Sequence, residues 1–193
     1  MLTLYFAPGS SSMAPHIALH EIGVPFESRP VSFARREQQG ADYLAVNPEG
    51  KVPTLLIDGR ALTEVAAILF YLARRFPQAD LLPVGDIEAE AQVISWMSFN
   101  ASTIHPARRR GMERCREVFA IADRRLEGRE WAFERYSIAD IHLFRLYWRF
   151  VNSVHPAADE FPGLSRHYDR MRARPAVRRT CEIEQAIGYE LPA

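Results

Sequence analysis

Three consecutive serines, Ser10, Ser11 and Ser12, are the first residues whose types and position suggest chemistry. They follow the short apolar run of residues 2–6 and a Pro-Gly break, and they precede apolar residues at helical spacing. A hydroxyl at a helix start can donate a hydrogen bond to a bound group, and the helix dipole and free amides favour negative charge there. The same hydroxyl can instead cap the helix, which is the commoner role of serine at such a position.

Other reactive side chains form no pattern that indicates catalysis or metal binding. His16 and His20 have no further ligand at a metal-binding spacing, and Cys115 and Cys181 cannot form a disulfide framework or a metal knuckle. The sequence contains no G-x-S-x-G elbow, no phosphate-binding glycine loop and no Cys-x-x-Cys pair. We therefore predict that the chain holds no metal ion.

The composition is that of a globular protein and argues against two classes of partner. The chain has 193 residues, 48% of them hydrophobic and 25% charged, so it can bury one sizeable core or two small ones. Its 24 basic and 24 acidic residues cancel, which leaves no net charge to attract nucleic acid or anionic lipid. Pro8 and Pro15 interrupt the longest uncharged stretch, and no signal-peptide pattern is present. We predict a cytoplasmic protein that binds neither nucleic acid nor a membrane.

The elements that would position the serines form an α/β domain. Residues 2–6 and 26–33 have strand patterns, and the segment between them has helical spacing. A short helical segment follows at 42–46, and the Asp58-Gly59 pair then indicates a hairpin between two further strands. A third helix ends near Phe76. This order of strands and helices predicts a compact domain with a mixed sheet.

The rest of the chain has helical periodicity, which predicts one helix that contains Val93 and Asn100 and runs into His105-Pro106, and a second helix roughly over residues 107–126. Residues 77–86 contain two prolines and a glycine, which is typical of a linker. The run Ser137-Ile138-Ala139-Asp140 matches a capping box, and the apolar stretch 141–150 that follows it predicts a buried central helix. We therefore predict an α/β domain at residues 1–76, a linker at 77–86 and an all-helical domain at 87–193.

Four groups of residues together carry a family resemblance, which covers nearly the whole chain. They are Tyr5-x-x-Pro8-Gly9-x-Ser11-Ser12-x-Ala14-Pro15-His16-Ile17-Ala18-Leu19; Gly40-Ala41-Asp42-Tyr43-Leu44-Ala45-Val46-Asn47-Pro48-x-Gly50-x-Val52-Pro53; Leu62-Thr63-Glu64 with Ala67-Ile68-x-x-Tyr71-Leu72-Ala73; and Ser137-Ile138-Ala139-Asp140. In these motifs the chain resembles the glutathione S-transferase superfamily, and most of all its bacterial beta-type branch. The resemblance implies a thioredoxin-like N-terminal domain that holds glutathione, an all-helical C-terminal domain that shapes a pocket for an electrophile, and a homodimer.

The resemblance makes Ser11 the candidate catalytic residue. The nucleophile of such a site is the glutathione thiolate, which a hydroxyl at a helix start can stabilise. In the beta-type branch this position is commonly cysteine, which supports mixed disulfides with glutathione. Serine cannot form that disulfide, so we do not expect thiol–disulfide chemistry through this residue. Helix capping remains the alternative role of Ser11, and the position of Tyr5 is more typical of a packing residue than of the donor.

Four further residues correspond to glutathione-binding positions of the family. The resemblance implies that Pro53 is cis and that the backbone of Val52 pairs with the cysteinyl part of glutathione in the manner of an added strand. It also implies that Glu64 faces the γ-glutamyl amino group and that the N–H of Val65 binds its carboxylate. The alternatives are a proline that merely begins a strand and an acid that suits the helix dipole. Val65 replaces the usual serine or glycine, which weakens the glutathione interpretation.

Two basic positions complete the candidate site. Arg35 lies where relatives carry a basic residue for the glycyl carboxylate, and arginine can bind a carboxylate bidentately. His105 matches a histidine of the beta-type branch near the mouth of the site. Each has a simpler interpretation, Arg35 as a solvated surface charge and His105 as a surface or packing residue. Two neighbours of His105 differ from the family, since Ser98 replaces a common asparagine and Pro106 a common lysine.

The resemblance therefore implies a glutathione transferase that uses glutathione as co-substrate and conjugates it to a small hydrophobic electrophile, a reaction typical of detoxification. A different class is a binding or interaction protein that keeps the fold and has lost the chemistry, which the departures at Ser11, Val65, Ser98 and Pro106 would favour. A third is glutathione-linked reduction or isomerisation. The sequence does not identify the electrophile.

Overall fold

The structure is a computed structural model that describes residues 1–157 and 159–190. The chain divides into two compact units, one of which joins Met1–Leu72 to the segment that begins at Pro175, while the other is Ala73–Arg174. Strands and helices in chain order are β1 (Leu2–Phe6), α1 (Met13–Ile22), β2 (Glu27–Pro30), α2 (Ala41–Leu44), β3 (Thr54–Ile57), β4 (Arg60–Thr63), α3 (Val65–Arg75), α4 (Ile87–Phe99), α5 (His105–Ala107), α6 (Met112–Arg125), α7 (Ile138–Val154), α8 (Pro162–Ala173) and α9 (Pro175–Ile187).

The first unit is built on a four-stranded sheet in the order β2-β1-β3-β4. β1 pairs in parallel with β2 and antiparallel with β3, and β3 pairs antiparallel with β4 through the predicted hairpin. β1 is central, and its Leu4 lies opposite Leu55 with both side chains fully buried. β2 is exposed along its length, which agrees with the edge position that Pro30 imposes. The predicted mixed sheet is confirmed.

Helix α1 carries the loop of three serines at its N-terminal end. Its apolar residues, with Ile17 and Leu19 among them, are buried within the first unit. The helix ends at Gly23, whose backbone adopts φ 74° and whose N–H donates to the carbonyl of Leu19 at 3.0 Å. Glycine is favoured there because a side chain strains the left-handed conformation.

Helix α9 belongs to the first unit, which differs from the predicted all-helical domain of residues 87–193. The helix packs against α1 and places the carboxylate of Glu184 in hydrogen-bond contact with Gly9 and His16. A buried carboxylate requires such partners, and they are supplied by the N-terminal part of the chain. The association of α9 therefore depends on contacts between segments far apart in sequence.

The second unit is helical, as predicted, but its elements differ from the expected ones in two places. A π-helical turn, Asn100–Ile104, separates α4 from α5, and a 3-10 turn follows at Arg108–Arg110. The predicted helix over 107–126 is wrong in its first turn, because Gly111 has φ 107° and α6 begins only at Met112. Within the predicted linker, Leu81 is buried, and its carbonyl accepts a hydrogen bond from the N–H of Ile138 at 2.9 Å.

The capping box predicted at the start of α7 is confirmed. The Ser137 hydroxyl accepts from the N–H of Ala139 at 3.3 Å, and the Asp140 carboxylate accepts from the N–H of Ser137 at 2.9 Å. The other oxygen of Asp140 bonds Nε2 of His167 at 3.0 Å and the N–H of Ala132 at 2.7 Å. α7 is buried from Ile138 to Phe150, as its apolar sequence predicts. None of the described helices is both long and apolar enough to cross a membrane.

Candidate active site

The three serines before α1 have different environments. Ser12 is fully buried, and its hydroxyl accepts from the N–H of Ala7 at 3.0 Å and donates to the carbonyl of the same residue at 3.2 Å. The hydroxyl of Ser10 is buried beside it, with the two oxygens 2.6 Å apart. Ser12 occupies the N-cap position, but its side chain makes no capping hydrogen bond to α1. Two of the three hydroxyls therefore hold the loop itself.

Ser11 is the partly exposed serine of the three. Its hydroxyl donates to the carbonyl oxygen of Val52 at 3.2 Å, a bond between residues 41 apart in the chain. The alternative of a capping role does not describe Ser11, because the hydroxyl donates to another loop instead of accepting from a helix amide. The structure thus brings together Ser11 and Val52, two of the predicted site residues.

The loop that contains Val52 and Pro53 is held by side chains that sequence reasoning did not assign to the site. The peptide bond between these two residues is cis, as the resemblance implied. Tyr43 donates to the carbonyl of Lys51 at 2.5 Å, and the amide nitrogen of Asn47 donates to the same oxygen at 2.8 Å. Asn47 is the first residue of the Asn-Pro-x-Gly motif, and this motif was the signal that could have identified it.

An apolar cluster supports this loop from within the first unit. It contains Ala7, Val31, Tyr43 and Val52, with Tyr5 packed against it. The rings of Tyr5 and Tyr43 meet edge to face with centroids 5.5 Å apart. Burial raises the pKa of the Tyr43 hydroxyl, which therefore keeps its proton and can donate to Lys51. Tyr5 packs as predicted, while its hydroxyl accepts from Arg29 at 2.9 Å.

Glu64 and Val65 lie at the start of α3. Glu64 is exposed and has φ 69°, and its carbonyl accepts from the N–H of Ile68 at 2.9 Å. Val65 is the first residue of the helix, and its side chain is buried while its N–H lies in the first turn, where amides have no intrahelical acceptor. The N-terminal end of α3 therefore combines the backbone N–H of Val65 with the side-chain carboxylate of Glu64.

Arg35 lies in the loop after β2, where its side chain is 75% exposed. Its Nε donates to Glu37 at 2.9 Å, while a second oxygen of that carboxylate accepts from the N–H of Ser32 at 2.8 Å. The bond from Ser32, followed by the bond from Arg35, lowers the pKa of Glu37. The guanidinium is therefore engaged in a surface ion pair, and an ion pair of this kind contributes little stability.

His105 belongs to the second unit, where it follows the π-helical turn. It keeps an exposed surface, but partial burial of the imidazole and the charges of Arg145 and Arg109 lower its pKa. Its neighbour His142 is buried, and burial together with His105 and Arg145 lowers the pKa of His142 to about 3. Both imidazoles are thus neutral at physiological pH.

No group of three or more histidine, cysteine, aspartate or glutamate side chains with metal-binding geometry occurs among the described residues. This observation concerns only that part of the chain. Among the described residues, Cys115 is buried and Cys181 is partly exposed.

Two family models match the chain along most of its length. The N-terminal domain of glutathione S-transferase matches residues 1–74, and the C-terminal domain of the same family matches residues 90–175. The chain belongs to the glutathione S-transferase family. The predicted family, the thioredoxin-like domain followed by a helical domain, and the enzyme class of glutathione transferase are thereby confirmed.

Similarity to individual members extends over nearly the whole chain. Glutathione S-transferase GstA of Escherichia coli O157:H7 is 31% identical in an alignment of 209 positions, gaps included, that covers 98% of each chain. A sphingomonad glutathione S-transferase solved in complex with glutathione is 34% identical, with a TM-score of 0.86 over 95% of this chain and 98% of that one. A bacterial beta class enzyme from Sphingomonas chungbukensis is also 34% identical, with a TM-score of 0.82 over 94% of this chain and 98% of that one.

Proposed function

We propose that this glutathione transferase binds glutathione in its first unit and transfers the thiolate to a small hydrophobic electrophile, with Ser11 as the residue that stabilises the sulfur. The observation that carries the proposal is the placement of Ser11, a partly exposed hydroxyl before α1 that lies 3.2 Å from the carbonyl of Val52. The thiol first releases its proton to water, and the thiolate then forms a bond to the electrophilic carbon. In a substitution the leaving group departs from that carbon with the bonding electron pair, and in an addition the π electrons of the electrophile move to the neighbouring atom, which takes up a proton from water.

The chemistry of Ser11 follows from where its hydroxyl lies. A hydrogen bond donated to the sulfur favours the thiolate over the thiol, and the dipole at the start of α1 acts in the same direction. Both effects lower the pKa of the bound thiol and raise the fraction of the reactive form. Because the Ser11 hydroxyl donates to Val52 in the free protein, it must exchange that acceptor for the sulfur when glutathione binds.

The remaining contacts of glutathione are proposals for individual groups. Val52, which precedes the cis bond to Pro53, offers its backbone to the cysteinyl part, and a main-chain pairing of this kind resembles strand addition. At the start of α3 the Val65 N–H is proposed for the γ-glutamyl carboxylate and the Glu64 carboxylate for the amino group. Arg35 is proposed for the glycyl carboxylate and would leave its exposed pair with Glu37.

The role of His105, which belongs to the second unit, stays a prediction from the family resemblance. The lowered pKa of His105 supports a neutral imidazole, which can donate or accept a hydrogen bond without adding charge. Family membership and the glutathione complex of the sphingomonad relative support glutathione as the co-substrate. We further propose that the protein acts as a cytoplasmic homodimer, which equilibrium sedimentation of the purified chain would test for the oligomeric state.

The first experiment is a calorimetric titration of glutathione into the wild type, Ser11→Ala and the exposed control Ser28→Ala, followed by turnover with a panel of electrophiles. We expect all three proteins to bind glutathione, and only Ser11→Ala to lose the ultraviolet absorbance of the bound thiolate and most of its turnover. Full turnover by Ser11→Ala would overturn the role of Ser11. Folded wild-type protein that neither binds glutathione nor conjugates any electrophile would favour a binding protein that has lost the chemistry.

A further inference from the structure

Glu184 is a fully buried carboxylate on α9. One of its oxygens accepts from the N–H of Gly9 at 2.7 Å, and the other lies 2.9 Å from Nδ1 of His16, whose side chain is also buried. Gly9 belongs to the loop before α1, and His16 lies within α1. A single carboxylate therefore joins α9 both to the serine loop, residues 7–12, and to α1, which follows that loop.

The position of this carboxylate is costly unless its partners are kept. A buried carboxylate without hydrogen bonds loses the hydration that it has in water, and a buried donor without an acceptor is destabilising as well. Here the two costs are removed by the same contacts, because the Gly9 amide and the His16 imidazole are themselves buried. Both contacts require a side chain at residue 184 that has the length of glutamate and carries hydrogen-bond acceptors.

The serine loop is thus held on two sides. Inside the loop, the hydroxyl of Ser12 bonds both polar groups of the Ala7 backbone. On the α9 side, Glu184 bonds the amide of Gly9, two residues before Ser11, at a point where the backbone adopts φ 74°. Movement of Gly9 would be transmitted to Ser11, because only Ser10 separates them.

We propose that Glu184 is a positioning residue, which holds the loop through Gly9 so that the Ser11 hydroxyl keeps its place before α1. The inference rests on the proposed function for its catalytic consequence, since Glu184 hydrogen-bonds Gly9 and His16 and would act on the thiol only through the loop. Its structural consequence concerns the amide of Gly9 and holds in the absence of glutathione.

A second acid after α9 provides a useful comparison. Glu190 accepts from the Ser32 hydroxyl at 2.7 Å and from the N–H of Ala34 at 2.9 Å, in the loop that carries Arg35. These bonds lower the pKa of Glu190. Because this carboxylate is not buried, water can replace it, and its loss should leave the position of Ser11 unchanged.

The test compares Glu184→Leu, which removes the acceptor, with Glu184→Gln, which keeps an acceptor for Gly9 and offers an amide to His16. Glu182→Leu is the matched control, because Glu182 is exposed on the same helix. The readouts are amide hydrogen exchange of Gly9 in the free protein and the pKa of the glutathione thiol in the complex. We expect Glu184→Leu to accelerate exchange at Gly9 about tenfold, as the loss of one buried hydrogen bond implies, and to raise the thiol pKa. Glu184→Gln and Glu182→Leu should remain close to the wild type.

A folded Glu184→Leu protein whose Gly9 exchange and thiol pKa both match the wild type would overturn the proposal, even if its melting temperature fell. If Glu184→Leu does not fold, Glu184→Asp decides the question, because a carboxylate shorter by one methylene should fold and loosen the bond to Gly9. Wild-type exchange at Gly9 in Glu184→Asp would then contradict the inference. Accelerated exchange in a protein that binds no glutathione would uphold the loop contact and refute the proposed function instead.

Discussion

The hydroxyl of Ser11 and the carbonyl oxygen of Val52 share a hydrogen bond of 3.2 Å that links the start of α1 to the residue before the cis proline. Under the proposed function these two residues contact neighbouring atoms of one ligand, the sulfur and the backbone of the same cysteinyl group. Their direct contact in the free protein means that the two halves of that subsite are already adjacent. Glutathione would therefore replace one hydrogen bond and need not assemble the site.

Ser11→Cys should convert the site to thiol–disulfide chemistry. A thiol before α1 benefits from the helix dipole, so we expect its pKa to fall below that of free cysteine. With glutathione disulfide, the Cys thiolate should attack one sulfur and release the other half as glutathione thiolate, leaving a mixed disulfide on the protein. Mass spectrometry of the intact protein would detect the added glutathionyl group.

The control for this experiment is the wild type, whose Cys115 is buried and whose Cys181 is partly exposed. Wild-type protein under the same conditions should gain less of the adduct. An adduct on Ser11→Cys that peptide mapping assigns to Cys181 would contradict the prediction.

Ser12→Ala should destabilise the protein far more than Ser11→Ala. The Ser12 hydroxyl is fully buried, and its loss leaves the N–H and carbonyl of Ala7 without that partner, at a cost of about 2 kcal/mol in the free energy of unfolding. The Ser11 hydroxyl is partly exposed, so water can replace it and the expected cost is below about 1 kcal/mol. Urea unfolding of both variants measures the difference, and equal losses would contradict it.

Glu64→Gly should separate the backbone role of Glu64 from its proposed role in binding. Because residue 64 has φ 69°, glycine removes steric strain while it loosens the unfolded chain, and the two effects leave the free energy of unfolding within about 1 kcal/mol of the wild type. Loss of the carboxylate should weaken glutathione binding about tenfold. Calorimetry measures the affinity, and thermal unfolding measures the stability.

Glu64→Gln is the matched variant, because it removes the charge and keeps a side chain with the same backbone strain. It should lose as much affinity as Glu64→Gly. Wild-type affinity in both variants would exclude a contact between Glu64 and the γ-glutamyl amino group.

His142→Phe should make the stability of the protein less dependent on pH. The pKa of His142 is lowered from 6.5 to about 3 by burial, so between these values the unfolded state binds a proton that the folded state does not. Stability therefore falls as the pH drops through this window, by up to about 1.4 kcal/mol per pH unit from this one residue. Above pH 6.5, which is the ordinary pKa of histidine, neither state binds this proton, so His142 no longer makes the stability depend on pH. We would measure the free energy of unfolding by denaturant at several pH values. Between about pH 3 and pH 6.5 it should change less steeply with pH in His142→Phe than in the wild type.

Phe144→Leu is a suitable control, because it alters the same buried helix without changing a titratable group. It should lower stability by a similar amount at every pH. An identical pH slope in the wild type and His142→Phe would show that His142 is not a source of the acid sensitivity.

Local patterns were sufficient to predict the elements and most of their order. Alternation and turn residues such as Asp58-Gly59 identified the strands, and Ser137 with Asp140 identified the start of α7. Each of these signals lies within a few residues, so the sequence states it directly. The break at Gly111 was missed because the helical periodicity continues on both sides of it, while the positive φ appears only in the structure.

Residue types in the sequence indicated the candidate site residues, but the sequence did not indicate their contacts. The three serines are chemically identical, and only burial and hydrogen bonding distinguish Ser11 from Ser10 and Ser12. Glu184 had no local signal, because its partners Gly9 and His16 lie 175 and 168 residues away. Residue spacing cannot reveal a pairing that depends on how two distant helices meet.

The discontinuity of the first unit has a consequence for how the chain is made. A ribosome releases the sheet and α1 long before it synthesises α9. The nascent N-terminal segment therefore lacks the carboxylate that bonds Gly9 and His16 until the whole of the second unit has been synthesised. During this interval the serine loop lacks one of its supports, and the surface that α9 covers is open to solvent or to a chaperone. The unit that binds glutathione under our proposal is thus the first to begin folding and the last to finish.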